Sequence, residues 1–318
     1  MRTSQNWKSR KCPSCGSTDI ELSPVQTATT RAEKLSFEEI KKLFIGLRAD
    51  QIFFTYHRCS NCNLAYNTNY FSQSQLDVLY HLMPNNLMGE NVGTASKTQY
   101  KYADQILRQT KKVETVLELG PDIGLIGKRI SGEKSNCSAI LVEPNIGVYG
   151  DLEANSSNFT AFEIVPNLDE VRTINKSKPD LIIGIHVLDH LLQPEKTLTK
   201  LHNLADDLAT LCIVVHNEKS MLRFFLNKRW PPFCLQHPQL FNRQTIKSTL
   251  EHSGWKIIKI QKTVNYYSVR NLVKNFLAII NLPIWLSKLF PNLEVPLILG
   301  NILIIAQRKE LSSSHESL

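Results

Sequence analysis

The segment VLELGPDIGLIG, residues 116–127, constrains the fold more than any other stretch of the chain. An apolar run ends in a glycine-spaced turn and passes directly into a helical pattern. That arrangement marks a parallel strand feeding a helix across a ligand-facing turn. Gly120 and Gly124 let backbone approach a ligand closely, and the turn presents amide donors to an anionic group. Glu118 stands at the carboxyl end of the strand. Glu143 ends the next apolar run, 23 residues after Gly120, where an acidic side chain commonly grips ribose hydroxyls. The glycines are four apart, so this is not the dinucleotide GxGxxG pattern. A pyrophosphate site would gain nothing from Glu118. The segment therefore points to a nucleoside ligand with a cationic group; without its surroundings it would indicate only a tight strand–helix connection.

From Val113 onward, apolar runs alternate with helical stretches, as in a parallel α/β sheet. The runs are VETVLELG, SAILVEP, PDLIIGIHV, ATLCIVVHN, WKIIKIQ and GNILIIAQ. Helices are expected over 124–131, 194–208 and 244–252, the second opened by Pro194 and the third closed by Gly254. Ahead of them, helices are expected over 71–83 and 98–110, separated by the Gly/Asn-rich PNNLMGENVG. The polar tail LSSSHESL is expected to be disordered.

The front of the chain carries two tight cysteine pairs, CPSC at Cys12 and Cys15 and CSNC at Cys59 and Cys62. Two residues between cysteines let one turn aim both sulfurs at one ion, and two such turns complete a tetrahedral thiolate site for structural zinc. A redox dithiol or chance spacing is the competing reading. The 43 residues between the pairs exceed an ordinary zinc-ribbon loop, so a folded insertion is expected there. Within it, Ser36 and Glu39 form a capping box, Leu35 and Ile40 a hydrophobic staple, and Ile40, Leu43, Phe44 and Leu47 follow helical spacing. Cys137, Cys212 and Cys234 read as small buried hydrophobes.

VLELGPDIG resembles the first motif of class I S-adenosylmethionine-dependent methyltransferases, E/DxGxGxG. LVEP resembles their second motif, and PDLIIGIHVLDHLLQPEKTLTKL the stretch around their fourth strand. The resemblance covers about residues 110–308. It implies an α/β fold with a doubly wound, mostly parallel seven-stranded sheet, the Rossmann-like methyltransferase fold, in which GNILIIAQ is the antiparallel last strand. It also implies S-adenosylmethionine as cofactor, held by Glu118, Gly120, Asp122, Gly124, Glu143 and His186. The paired CxxC front is similar to a zinc module found among methyltransferases of sugar and surface-polysaccharide biosynthesis. Two departures stand out. Asp122 replaces the middle glycine, putting a carboxylate near the methionine end of the cofactor, and LADDLATL replaces the usual double-glycine turn before the fifth strand.

These readings divide the chain into a zinc-binding module with a helical insertion (1–70), a helical lead-in (71–112), a methyltransferase domain (113–309) and a tail (310–318). A helical insertion is expected at about 264–296 within the methyltransferase domain. Methyl transfer needs an acceptor aligned with the methyl–sulfur axis and a group to take its proton. Candidates at the carboxyl ends of the strands are His237 in WPPFCLQHPQLF, ranked first, then His216 and His190. His190 has a second reading as a brace of its turn, and His186 reads as lining of the cofactor pocket. Asn227-Lys228-Arg229-Trp230 could meet a phosphate or carboxylate of the acceptor, or form a solvated basic turn.

No run reaches the roughly 18–20 apolar residues of a spanning helix, and the opening MRTSQNWKSRK lacks the apolar core of a signal peptide. A soluble, cytoplasmic protein is expected. The net charge of +8 admits nucleic acid, a nucleotide-linked substrate or a membrane face as partner. The expected acceptor is a small molecule, a nucleotide-linked sugar or glycan end. RNA is the alternative, against which the front lacks a dense basic run with stacking aromatics. A catalytically silent binding protein of the same fold is the third reading. The segment NYYSVRNLVKNFLAIINLPIWLSKLFPNLEVPL mixes basic and apolar residues. It reads either as cover over the acceptor site or the zinc module, or as a peripheral membrane contact.

Overall fold

The computed structural model describes residues 7–44, 51–81, 83–84, 92–110, 113–171, 177–279 and 282–309. The expected tail at 310–318, most of the Gly/Asn-rich segment and Leu47 of the expected helix lie outside them.

In the front, β1 (Lys8–Ser9) pairs with β4 (Asn69–Tyr70), and β2 (Tyr56–Arg58) with β3 (Ala65–Asn67), all antiparallel. The insertion between the cysteine pairs holds α1 (Phe37–Leu43), whose N-terminus carries the expected capping box: Ser36 and Glu39 each accept the other's backbone amide. Then come α2 (Gln73–His81) and α3 (Val92–Leu107).

The central sheet begins with β5 (Thr115–Leu119), followed by α4 (Leu125–Glu133), β6 (Ser138–Val142), α5 (Tyr149–Ser156) and β7 (Phe162–Val165). It continues through β8 (Leu181–Ile185), α6 (Pro194–Leu204), β9 (Thr210–His216), α7 (Met221–Leu226), β10 (Gln239–Leu240), α8 (Arg243–His252) and β11 (Trp255–Lys262). The chain closes with β12 (Asn265–Ser268), α9 (Val269–Ile279), β13 (Glu294–Leu297) and β14 (Asn301–Arg308). The seven-stranded order is β11-β14-β9-β8-β5-β6-β7, with β14 antiparallel to both neighbours and β5, β6, β7, β8 and β9 parallel.

Strands buried on both faces explain the near-continuous apolar runs. Alternate residues of β5 enter two different cores. Leu117 and Leu119 pack with Leu198 of α6 and Ile246 and Leu250 of α8, whereas Val116 packs with Tyr102 and Ile106 of α3 and Ile126 and Ile130 of α4. The front joins the first of these cores through Cys12, Cys59, Leu64 and Tyr66. It also takes β10 as a third strand beside β3, so front and sheet share one interior.

The 264–296 segment is not helical throughout. The aromatic NYYS of β12 pairs with EVPL of β13, and Tyr266 donates its amide to Thr98 on α3 at 2.8 Å. The replaced turn at Asp206–Leu208 is a surface loop in which Leu208 is exposed and Asp207 pairs with Arg308. No helix among the described residues is long and apolar enough to cross a membrane.

Candidate active site

The turn after β5 is built on two glycines that a side chain could not replace without strain. Gly120 (φ +59°) would set a Cβ 2.9 Å from Val187 Cγ2, and Gly124 (φ +78°) one 2.7 Å from Leu152 Cδ1. Asp122 between them also has positive φ, +54°, a conformation that disfavours most side chains but that aspartate tolerates comparatively well. Its amide donates to Glu143 Oε2 at 3.0 Å, and the Asn145 amide donates to Glu143 Oε1 at 2.9 Å, so the carboxylate at the end of β6 is held across the turn. Glu118 is 2% exposed, and its Oε2 has no hydrogen-bond partner among the described residues. Burial and the neighbouring Glu143 charge push Glu118 up to about 8, and burial pushes Glu143 up to about 7. Two buried carboxylates this close favour a cationic ligand.

Across the same cavity, four histidines converge at the ends of β8 and β9 and on the loop before β10. His216 Nδ1 lies 2.9 Å from Asp189 Oδ2, which also accepts the His216 amide at 3.1 Å. The His186 and His216 rings stack with centroids 4.4 Å apart, and His216 and His237 at 5.0 Å. His237 Nδ1 sits 2.8 Å from the carbonyl oxygen of Pro232, so it is the protonated nitrogen and Nε2 is the acceptor. His190 Nε2, 3.1 Å away, therefore donates to it, and His190 Nδ1 accepts from the Tyr80 hydroxyl at 3.0 Å. Burial holds His216 and His237 down at about 4, and burial with neighbouring imidazoles holds His186 and His190 well below the ordinary value. All four are neutral at neutral pH. Asp189, fully buried, is pushed up by desolvation.

Both groups line one cavity of about 1660 Å³, large enough for a nucleoside cofactor together with an acceptor. Glu118, Gly120, Asp122, Glu143 and His186 line it, as do His190, His216 and His237; Gly124 lies at the back of the turn. Lys228, Arg229 and Trp230 line it as well, as do Tyr267 and Phe276 of the 264–296 segment. Of the residues ranked for proton transfer, His237 has its free lone pair turned to His190. His216 is the one that a carboxylate backs.

Asp189, Tyr80 and Asn301 join this site without being among the residues that the sequence marks as candidates. Asn301 Nδ2 lies 3.3 Å from His186 Nε2. Asp189 was detectable as an acid beside His190 at a strand end. Tyr80, on a helix of the front, carries no local signal.

The four front cysteines come together, with Cys12 and Cys62 sulfurs 3.4 Å apart and Cys15 and Cys59 3.5 Å apart. All four sulfurs lie within 4.8 Å of one another. Hydrogen bonds from neighbouring thiols hold Cys62 down at about 5, while the contact with Cys62 and burial push Cys12 up. A tetrahedral ion with metal–sulfur bonds of about 2.3 Å would need separations of about 3.8 Å, so this set could hold one after a small outward adjustment. Cys137, Cys212 and Cys234 are free and buried.

The methyltransferase domain family matches residues 94–260, more than half of the chain. No curated protein sequence matches it. A chain of the Haloferax volcanii complex between the Trm112 methyltransferase activator and a methyltransferase superposes with TM-score 0.52 at 11% identity, covering 69% of this chain and 94% of that one. The N-methyltransferase NodS of Bradyrhizobium japonicum, solved with S-adenosylhomocysteine, is similar at TM-score 0.46 and 12% identity, covering 70% and 95%. The pyocyanin biosynthetic protein PhzM is similar at TM-score 0.45 and 14% identity; 67% of this chain is covered but only 55% of that one. The glycine turn, the unpartnered Glu118 oxygen and the amide-held Glu143 fit a nucleoside cofactor with a cationic group, as S-adenosylmethionine has. With its sheet order and its match across 94–260, the chain belongs to the methyltransferase domain family and has the class I fold of S-adenosylmethionine-dependent methyltransferases.

Proposed function

We propose that the chain moves a methyl group from S-adenosylmethionine to a small acceptor, a nucleotide-linked sugar or a glycan end, with His216 taking the acceptor proton. The observation that carries this reading is one cavity shared by the carboxylate-rimmed glycine turn and the Asp189-backed His216. Glu118, Gly120, Asp122, Gly124, Glu143 and His186 hold the cofactor, which when bound supplies an electrophilic methyl on a sulfonium.

The chain's own groups do the rest. Asp189 accepts from His216 Nδ1, which leaves Nε2 as the basic nitrogen, and its negative charge supports the imidazolium that forms. His237, His190 and Tyr80 form a second hydrogen-bonded line that orients the acceptor side and can share the proton. Lys228 and Arg229 on the cavity wall suit an acceptor phosphate. Cys12, Cys15, Cys59 and Cys62 hold zinc in a purely structural role, since four thiolates leave no open position.

Transfer of labelled methyl to pools of nucleotide sugars, glycans and RNA tests the acceptor class. Label entering the sugar or glycan pool supports the reading, and label entering RNA alone replaces it with the nucleic-acid one. Calorimetry with zinc-loaded protein should show S-adenosylmethionine binding that Glu143→Ala weakens. Absence of binding would leave a silent methyltransferase fold.

A further inference from the structure

Two segments flank one wall of the cavity and carry large apolar side chains into solvent. On α7 and the turn after it, Phe224 and Phe225 are 75% and 72% exposed, and Leu222 and Leu226 line the cavity from the same helix. In the 269–298 segment Trp285 and Leu289, on a 3-10 turn over Ile284–Leu289, are 61% and 75% exposed, with Phe276 of α9 also outward. A depression lined by Met221, Leu222 and Ile298 brings the start of α7 beside the end of the second segment, and Leu226 of α7 and Leu272 and Phe276 of α9 line the same cavity. Exposed apolar groups in such concentration mark an interaction surface rather than ordinary scatter.

The exposed charges on the same segments are basic: Lys219, Lys228 and Arg229 in the first, and Lys274 and Lys288 in the second. The two acids are each paired with a cation of another element, Glu218 with Arg58 at 3.1 Å and Glu294 with Lys97. A face of aromatic and aliphatic knobs among basic side chains matches the interface of an anionic bilayer, where rings enter the headgroup boundary and Lys/Arg meet lipid phosphates. A second copy of the chain fits worse, because a two-fold contact would bring both basic sets together.

We propose that α7, α9 and residues 282–298 form a docking surface for an anionic lipid bilayer, with the cavity opening beside it. The docking does not depend on the methyl-transfer reading. Vesicles of equal parts phosphatidylglycerol and phosphatidylcholine should sediment the full chain, whereas phosphatidylcholine vesicles should not. Trp285 is the exposed one of four tryptophans, so its fluorescence should shift to the blue on the anionic vesicles. The combined Phe225→Glu, Trp285→Glu and Leu289→Glu variant should lose at least about tenfold in vesicle affinity with an unchanged melting temperature. Lys274→Glu with Lys288→Glu should weaken binding without touching the apolar knobs. The proposal is overturned if the chain stays in the supernatant with anionic vesicles, or if both variants sediment as the parent does. It is equally overturned if light scattering shows a dimer that the apolar variant dissociates.

Discussion

Tyr56, from the strand that leads into the second cysteine pair, donates its hydroxyl to the carbonyl oxygen of His237 at 2.7 Å. Both residues are buried, and neighbouring contacts repeat the pattern: Tyr70 donates to the Leu235 carbonyl at 2.6 Å, and Arg10 to the Pro238 carbonyl at 3.2 Å. The front therefore holds the histidine loop by its backbone. The loop's Trp230, Phe233 and Leu235 in turn fill the front's aromatic core beside Phe44, Phe54 and Phe71.

Removing the Tyr56 hydroxyl should show this coupling. Tyr56→Phe leaves a buried carbonyl without its donor, a loss of about 1–3 kcal/mol. Methyl-transfer kcat should fall while the affinity for S-adenosylmethionine stays within about threefold, because all the cofactor residues but His186 lie on or just after β5 and β6. Denaturant melts and calorimetry on the same preparation read both effects. An unchanged kcat in a destabilised variant would confine the tyrosine to packing.

Metal removal should act by the same route. Elemental analysis is expected to find about one zinc per chain, by the four-thiolate rule. Chelation should lower the melting temperature and reduce kcat, with the histidine loop loosened through β3 and β10. Cys59→Ser should mimic chelation. A metal-free preparation that melts as the native protein does would refute the zinc assignment.

The parts legible in the sequence were those whose partners lie close along the chain or whose burial is two-sided. Five of the six strands that show as apolar runs are covered on both faces; the sixth, β11, lies at the sheet edge with four of its eight residues exposed, and its run rests on Trp255 and three isoleucines. The seventh, β7, is a short edge strand with Phe162 exposed and only Val165 buried, so no run marks it. The Ser36 capping box spans three residues and was readable. The glycine turn was readable because Gly120 and Gly124 answer to local backbone geometry. The histidine network was legible as a list of residues and not as an arrangement. Tyr80 meets His190 across 110 residues of sequence, and Tyr56 meets His237 across 181, distances over which no spacing rule operates.

The ranking of the histidines has its own test. Asp189→Asn keeps an acceptor for the His216 amide but offers no charge for the imidazolium and permits the wrong tautomer. kcat should fall by about 10²–10⁴, the range typical of positioned acid–base groups. His216→Asn should do the same, with cofactor affinity nearly unchanged in both. His237→Asn, whose Nε2 is already engaged by His190, should lose less. The reverse order, with His237→Asn the more damaging, would make His237 the base and His216 its neighbour.

The stability of the cofactor-free protein should peak near pH 6.5–7 because two sets of groups titrate in opposite senses. Glu118 and Glu143 have ordinary values of 4.5 and are raised to about 8 and about 7 in the folded chain. Between those limits the folded chain holds protons that the unfolded chain has released, so their contribution grows as pH falls from 8 toward 4.5. The histidines run the other way. His216 and His237 are lowered from 6.5 to about 4, and His186 and His190 are lowered well below 6.5 as well. Below pH 6.5 the unfolded chain takes up protons that the folded chain refuses, so stability is lost as pH falls toward 4. Each unmatched proton changes stability by at most about 1.4 kcal/mol per pH unit, and four imidazoles outweigh the raised carboxylates, Asp189 included, where the windows overlap. Melting temperatures from pH 5 to 9 should therefore pass through a maximum. Glu118→Gln should flatten the alkaline side and His237→Asn the acidic side, each leaving the other limb in place. A profile that rises steadily across the range in the parent protein, or that neither variant alters, would mean the two carboxylates and four imidazoles are not buried as a set.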